Sequence, residues 1–209
     1  MQWDLYDVLM ILAAYLIGNI SPAIILGKIS GVDIKKEGSG NAGTTNVLRV
    51  LGKKAALITL IVDISKGFLA VRLGMLLGYE TGAICAVAVF CGHIWPCFYR
   101  FKGGKGVATA FGALLSINWM LGLAALAIVA IGLLASKRMS VGSLLGAITF
   151  PLVCYYLEPE FLYEGSLMAL IILIKHRTNI GRRVNGTDSG ASPGISDGFQ
   201  YVCHRRLLP

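Results

Sequence analysis

The sequence predicts an all-α fold: a polytopic membrane helix bundle of about seven transmembrane helices, one of them short. Three observations predict it. Of the 209 residues, 56% are hydrophobic and only 14% are charged. Seven apolar runs recur along the chain. Basic residues gather between alternate runs and leave the intervening connections to acids. Gly and Ala are frequent throughout, which permits close helix contact in lipid. The chain is too short for such a bundle plus a separate soluble domain. Residues 1–183 are therefore one integral membrane domain, and residues 184–209, rich in Gly, Ser and Asp, a mobile cytoplasmic tail.

The first run, Val8–Ile25, follows MQWDLYDVLM, which has two acids and no basic stretch. It is expected to stay as a helix with its N-terminus outside, since a cleavable signal begins with basic residues. The second, Ala55–Leu77, holds Asp63 and Lys66 three residues apart. A lone charge at the bilayer centre costs about 2.5–3.5 kcal/mol on insertion scales, so these two are expected to pair inside the bundle as a structural pair. The third, Thr81–Phe98, carries Cys85, Cys91 and Cys97. With Cys154 and Cys203 they form no CxxC and no Cys/His ligand pattern, so neither a metal site nor a disulfide framework is expected. The fourth, Val107–Ile117, spans only about 17 Å as a helix. Trp119–Ala135, Val141–Leu157 and Phe161–Ile174 complete the set.

Charge decides the topology. With the N-terminus outside and one crossing per run, every basic residue except Lys66 and Arg72 faces the cytoplasm. Asp4, Asp7, Glu80, Glu158, Glu160 and Glu164 fall on the outer side. This satisfies the positive-inside rule. Merging the short fourth run with the fifth would turn Lys137, Arg138 and the basic C-terminus outward. Seven crossings, with a cytoplasmic C-terminus in the bacterial inner membrane, fit best.

Three polar clusters then share one side. The first is SGNAGTTN, Ser39 to Asn46, with Arg49 one helical turn on. Its glycines and small hydrogen-bonding side chains suit a loop that approaches a ligand, and Arg suits bidentate phosphate contact. Asn41, Thr44, Thr45 and Asn46 join Arg49 as candidate phosphate ligands. A polar turn between spans is the plainer reading.

The second cluster is GHIWPCFYRFKGGKGVAT, Gly92 to Thr109. Gly103, Gly104, Lys105 and Gly106 open a helix, where backbone amides and the helix dipole favour phosphate beside Lys102 and Lys105. It is not a Walker A loop, because Gly106 rather than Ser or Thr follows Lys105. His93 is a candidate catalytic group or a satisfied histidine at a helix end.

The third is KHRTNIGRR, Lys175 to Arg183, with His176 and Asn179 on one helical face. A stop-transfer flank explains its cations but not these two. Ser143, shortly after Lys137 and Arg138, either offers a hydroxyl at the mouth of a site or packs as a small residue.

These three clusters, in this order and on one predicted side, resemble the motifs of the bacterial acyl-phosphate-dependent glycerol-3-phosphate acyltransferase family. The resemblance runs from the first apolar run to about Arg183. It departs at Gly186-Thr187-Asp188, where family members tend to have Gly-Thr-Glu. The resemblance implies transfer of a fatty acyl group from acyl phosphate to the 1-hydroxyl of sn-glycerol 3-phosphate, giving lysophosphatidic acid and phosphate in phospholipid biosynthesis. It implies membrane lipid and a soluble acyl-phosphate synthase as partners, and neither a cofactor nor nucleic acid. Ser39, His93, His176 and Asn179 are then the expected catalytic residues. Arg49, Lys105 and His176 hold phosphates, and the amides of Gly103 to Gly106 stabilise negative charge. The transferred proton goes to His93, to His176 or to the donor's phosphate.

The chain has no His-x4-Asp motif: Phe98 and Gly181 stand five residues past His93 and His176. It has no Gly-x-Ser-x-Gly elbow either. A small transporter or exchanger for an organic phosphate is the rival class. That reading calls for access from both faces and inverted repeats.

Overall fold

The computed structural model describes residues 3–184, and every element in them is helical or a turn. The expected tail beyond Val184 lies outside the described residues. α1 (Leu5–Gly18) and α2 (Pro22–Ile29) come from the first apolar run. The sequence led us to expect one helix there. Pro22 instead opens a new helix at its first position, where its missing N–H and fixed φ are tolerated. The break frees the carbonyl of Ile20, which takes a 2.6 Å hydrogen bond from the Lys66 ammonium.

A loop leads to α3 (Thr44–Val50), and Gly52 separates it from α4 (Lys53–Met75). α5 (Tyr79–Ile94) is followed by a 3-10 turn at Cys97–Tyr99 and the glycine-lysine loop. α6 (Val107–Ile117), α7 (Trp119–Ser136), α8 (Met139–Leu157), α9 (Leu162–Lys175) and α10 (Arg177–Val184) complete the chain. Asn118 ends α6 and caps α7, its Oδ1 accepting the Met120 amide at 2.9 Å. The short fourth run is thus a separate helix, as its polar punctuation predicts.

Small residues set the helix contacts. A Cβ on Gly92 of α5 would meet the Tyr15 carbonyl oxygen of α1 at 2.1 Å. A Cβ on Gly112 of α6 would meet the Ile64 carbonyl oxygen of α4 at 2.0 Å. Helices this close gain dispersion contact that does not depend on a hydrophobic contrast with lipid. The core holds Phe90, Ile94, Leu114, Leu121, Phe150 and Phe161. The exterior carries exposed apolar side chains, among them Leu12, Leu57, Ile131, Leu134, Ile148 and Leu152. Leu5–Ile29, Tyr79–Tyr99, Trp119–Ser136 and Met139–Leu157 are long and apolar enough to cross a membrane. The polar loops after α2, α5 and α9 meet at one end of the bundle, around one cavity.

Candidate active site

The cavity measures about 710 Å³ and draws its lining from all three polar clusters. Ser39, Asn41, Thr44, Thr45, Asn46 and Arg49 come from the first, His93, Lys105 and Gly106 from the second, and His176 and Asn179 from the third. Ser143 and Asp63 also line it. Along three helices the wall changes character within a few turns. It passes from Lys105 to Leu114 beside α6, from Ser143 to Phe150 on α8, and from His176 to Met168 on α9. Val107 to Leu114 alone spans roughly 10 Å of helix axis. The cavity therefore pairs a polar mouth with an apolar interior.

Asn46 builds the first wall. Its Oδ1 accepts the Ser39 amide at 2.7 Å, and its Nδ2 donates to the carbonyls of Ile34 and Glu37, both at 3.1 Å. We expected Asn46 to bind phosphate. Its amide is instead committed to the loop, so it holds Ser39 in place. The Thr44 hydroxyl is buried and has no hydrogen-bond partner among the described residues, which suits a ligand contact.

The second wall corrects the expected cradle. Gly103 and Gly104 do not line the cavity, and their amides already donate, at 3.1 Å each, to the carbonyls of Ile94 and His93. A Cβ on Gly104 would lie 2.2 Å from His93 Nε2 and 2.7 Å from the Ala42 carbonyl oxygen. These glycines let the loop press against α5 and the first loop; they are not the anion contacts. The cradle sits one step later. Gly106 has φ 79°, a conformation open to glycine, and α6 starts at Val107. Val107 and Ala108, the first residues of α6, line the cavity beside Lys105, and their amides have no intrahelical partner. Lys102 is exposed and does not line the cavity, so the structure removes it from the expected phosphate ligands.

Below this loop lies a buried triad. Asp63 Oδ1 stands 2.7 Å from Lys66 Nζ and 3.2 Å from His93 Nδ1, and Lys66 Nζ lies 2.9 Å from the same imidazole nitrogen. The expected charge pair therefore includes His93. In the third wall, His176 Nδ1 lies 2.8 Å from the Ile172 carbonyl oxygen. A carbonyl only accepts, so Nδ1 holds the proton and Nε2 of the neutral ring is an acceptor. Burial and the neighbouring Lys105 charge push the His176 pKa down to about 4. His176 is then neutral near pH 7, so any hold it has on phosphate comes without a positive charge. The Lys105 ammonium donates to Asn179 Oδ1, which joins the second and third walls. The Ser143 hydroxyl donates to the Met139 carbonyl at 2.9 Å and is left with acceptor capacity.

This assembly matches known proteins across the same region. The family model described as glycerol-3-phosphate acyltransferase matches residues 8–186. The chain belongs to the glycerol-3-phosphate acyltransferase family. A glycerol-3-phosphate acyltransferase of Thermoanaerobacter pseudethanolicus is 44% identical over 189 residues, covering 88% of this chain and 96% of that protein. The one from Trichlorobacter lovleyi is 40% identical over 183 residues, covering 86% and 94%. Among solved structures, the glycerol 3-phosphate form of PlsY (YgiH), an integral membrane glycerol 3-phosphate acyltransferase, superposes with a TM-score of 0.84. It is 30% identical and covers 88% of this chain and 95% of that one. Its lysophosphatidic acid form gives a TM-score of 0.81.

For this acyltransferase-family chain, sequence reasoning missed Arg138 and Ser140, both of which line the cavity. Arg138 had been assigned to topology alone. A signal existed: SKRMSVGS puts a basic pair just ahead of two serines. Lys137 turns the chain at φ 55°, α8 starts at Met139, and Arg138 between them lines the cavity.

Proposed function

We propose that this acyltransferase moves a fatty acyl group from acyl phosphate to the 1-hydroxyl of sn-glycerol 3-phosphate. The glycerol oxygen bonds to the acyl carbon, the acyl carbon–phosphate oxygen bond breaks, and lysophosphatidic acid and inorganic phosphate leave. The supporting observation is the joined wall: Arg49, Lys105 and the first amides of α6 stand at the mouth of a cavity whose interior is apolar. Two phosphate-bearing heads meet the cations while the acyl chain lies along α6 and α8.

His176 Nε2, an acceptor in a neutral ring, takes the hydrogen bond of the attacking hydroxyl. A base of pKa about 4 removes a proton poorly at neutral pH. Bound phosphate charge offsets that of Lys105 and raises this pKa, and the departing phosphate supplies a second acceptor. Ser39 and Asn179 orient the reacting groups. Positioning and electrostatic stabilisation carry most of the acceleration. The site opens to the cytoplasm of a bacterial inner membrane, the N-terminus lies outside, and a soluble synthase supplies the acyl phosphate.

The test is an assay of purified enzyme in lipid with radiolabelled glycerol 3-phosphate. Acyl phosphate, acyl-CoA and acyl carrier protein are offered in parallel. Lysophosphatidate from acyl phosphate alone is the expected result. Equal turnover with a thioester donor overturns the donor assignment, and no acyl transfer from any donor overturns the reaction.

A further inference from the structure

Lys102, which the cavity does not use, takes part in a different assembly. The carbonyl of Tyr99 accepts the Lys102 amide at 3.2 Å and the Lys35 ammonium at 3.3 Å. The same residue's ring lies 5.6 Å from Lys35 Nζ and 5.7 Å from Lys28 Nζ. Two lysines, from α2 and the first loop, thus converge on one tyrosine outside the cavity, and the backbone of Lys102 in the second loop bonds to the same residue.

Little opposes their charge. No ion pair joins Lys28, Lys35 or Lys102 to a carboxylate among the described residues. Asp33 and Glu37 flank Lys35 two residues away on either side; Glu37 forms no ion pair among the described residues, and Asp33 Oδ1 accepts the Lys35 amide at 3.1 Å while its Oδ2 lies 3.9 Å from Lys36 Nζ. Burial pushes the Lys35 ammonium below the usual lysine range; Asp33 opposes this, and Lys102 and Lys28 add to the lowering. Such a cluster gains from a bound anion.

The surroundings select its source. Phe98 is 70% exposed and Phe101 59% exposed, on either side of Tyr99. Arg100 and Phe101 both take positive φ, 56° and 57°, so this loop holds a costly conformation with its aromatic rings outward. Exposed aromatic rings beside lysines mark the interfacial layer of a membrane, where long lysine stems reach the headgroups.

We propose that Lys28 and Lys35, gathered on Tyr99, form with the adjacent Lys102 a second anion site that takes the phosphate of an anionic membrane lipid headgroup. A soluble phosphate ester offers the same chemistry without the acyl chains that Phe98 and Phe101 would meet. The site holds the loop that carries Lys105 against the headgroup layer.

Native mass spectrometry of the full chain, released from nanodiscs, tests this with phosphatidylglycerol and phosphatidylcholine of identical acyl chains. Wild type should retain phosphatidylglycerol in preference. Each lysine near an anionic surface is worth about fivefold in binding, so the K28Q/K35Q/K102Q variant should retain at least tenfold less. Should that variant unfold, K102Q alone, at an exposed position, should show the roughly fivefold fall. Equal retention of the two lipids, or undiminished phosphatidylglycerol in the folded variants, overturns the proposal. Displacement of the lipid by millimolar inorganic phosphate reassigns the cluster to a soluble anion and overturns the lipid assignment.

Discussion

The Lys66 ammonium lies 2.9 Å from Nδ1 of His93. It also reaches the Ile20 carbonyl at 2.6 Å and Asp63 Oδ1 at 2.7 Å. An ammonium has three protons, and here are three acceptors. Asp63 Oδ1, which only accepts, also stands 3.2 Å from this nitrogen; with the third ammonium proton given to Nδ1, the ring is neutral and its own proton sits on Nε2 beside Gly104. In that arrangement the two cavity histidines carry opposite tautomers: His93 presents a donor and His176 an acceptor. Of the three proton destinations that the sequence left open, His93 is the one this geometry disfavours.

His93→Ala should lower kcat about 10²-fold, the cost of losing one well-placed donor. His93→Gln keeps an N–H at similar reach and should stay within about tenfold of wild type on the same reasoning. The acid limb of the pH–kcat profile should move in neither. Nitrogen chemical shifts of labelled histidine should report His93 as the Nε2–H tautomer, and an Nδ1–H signal would sink this assignment.

Lys66→Met leaves the Asp63 carboxylate in the bundle without its ammonium, with only His93 Nδ1 beside it at 3.2 Å. A buried pair broken on one side costs about 3–5 kcal/mol, readable by thermal unfolding in detergent. Asp63→Asn combined with Lys66→Met should recover most of the loss. If the double variant is no better than the single one, the charge pair is not the cause.

His176 makes stability depend on pH. Its folded-state pKa of about 4 lies below the unfolded value near 6.5. Between these values the unfolded chain binds more protons, so stability rises with pH across that window and falls as pH drops through it. His176→Gln should flatten the unfolding temperature between pH 6.5 and 4 relative to wild type. An equally steep curve in the variant would contradict the shift.

Gly104→Ala should disable the site without unfolding the bundle. The new Cβ would meet His93 Nε2 at 2.2 Å, so the loop or the imidazole must move. A misplacement of about 1 Å costs roughly 10²-fold in kcat. Gly181→Ala is the control: among the described residues nothing lies within 4 Å of its Cβ position in α10. It should be neutral or gain up to about 1 kcal/mol.

Asn46→Asp turns two amide protons into lone pairs facing the Ile34 and Glu37 carbonyls. Leaving such buried groups unpaired costs about 1–3 kcal/mol. The expected kinetic signature is a raised KM for glycerol 3-phosphate as the Ser39 loop loosens. Normal KM with normal stability would remove Asn46 from the loop's framework.

The sequence by itself determined the helical class, the apolar runs and the family, because hydrophobic length and charge segregation are properties of contiguous residues. It also singled out Ser39, Arg49, Lys105, His176 and Asn179, since their residue types stand out against an apolar background. Only the tertiary structure decided that Lys105 lines the cavity while Lys102, three residues earlier in the same loop, stays exposed outside it. Facing has no period in a loop. The same holds for Asn46, whose amide is used up by carbonyls nine and twelve residues away. It holds for Arg138, drawn in by a turn at Lys137, and for the tautomers of His93 and His176. A proton's position depends on which atoms of other helices come within about 3 Å, and that distance exists only once the helices have packed.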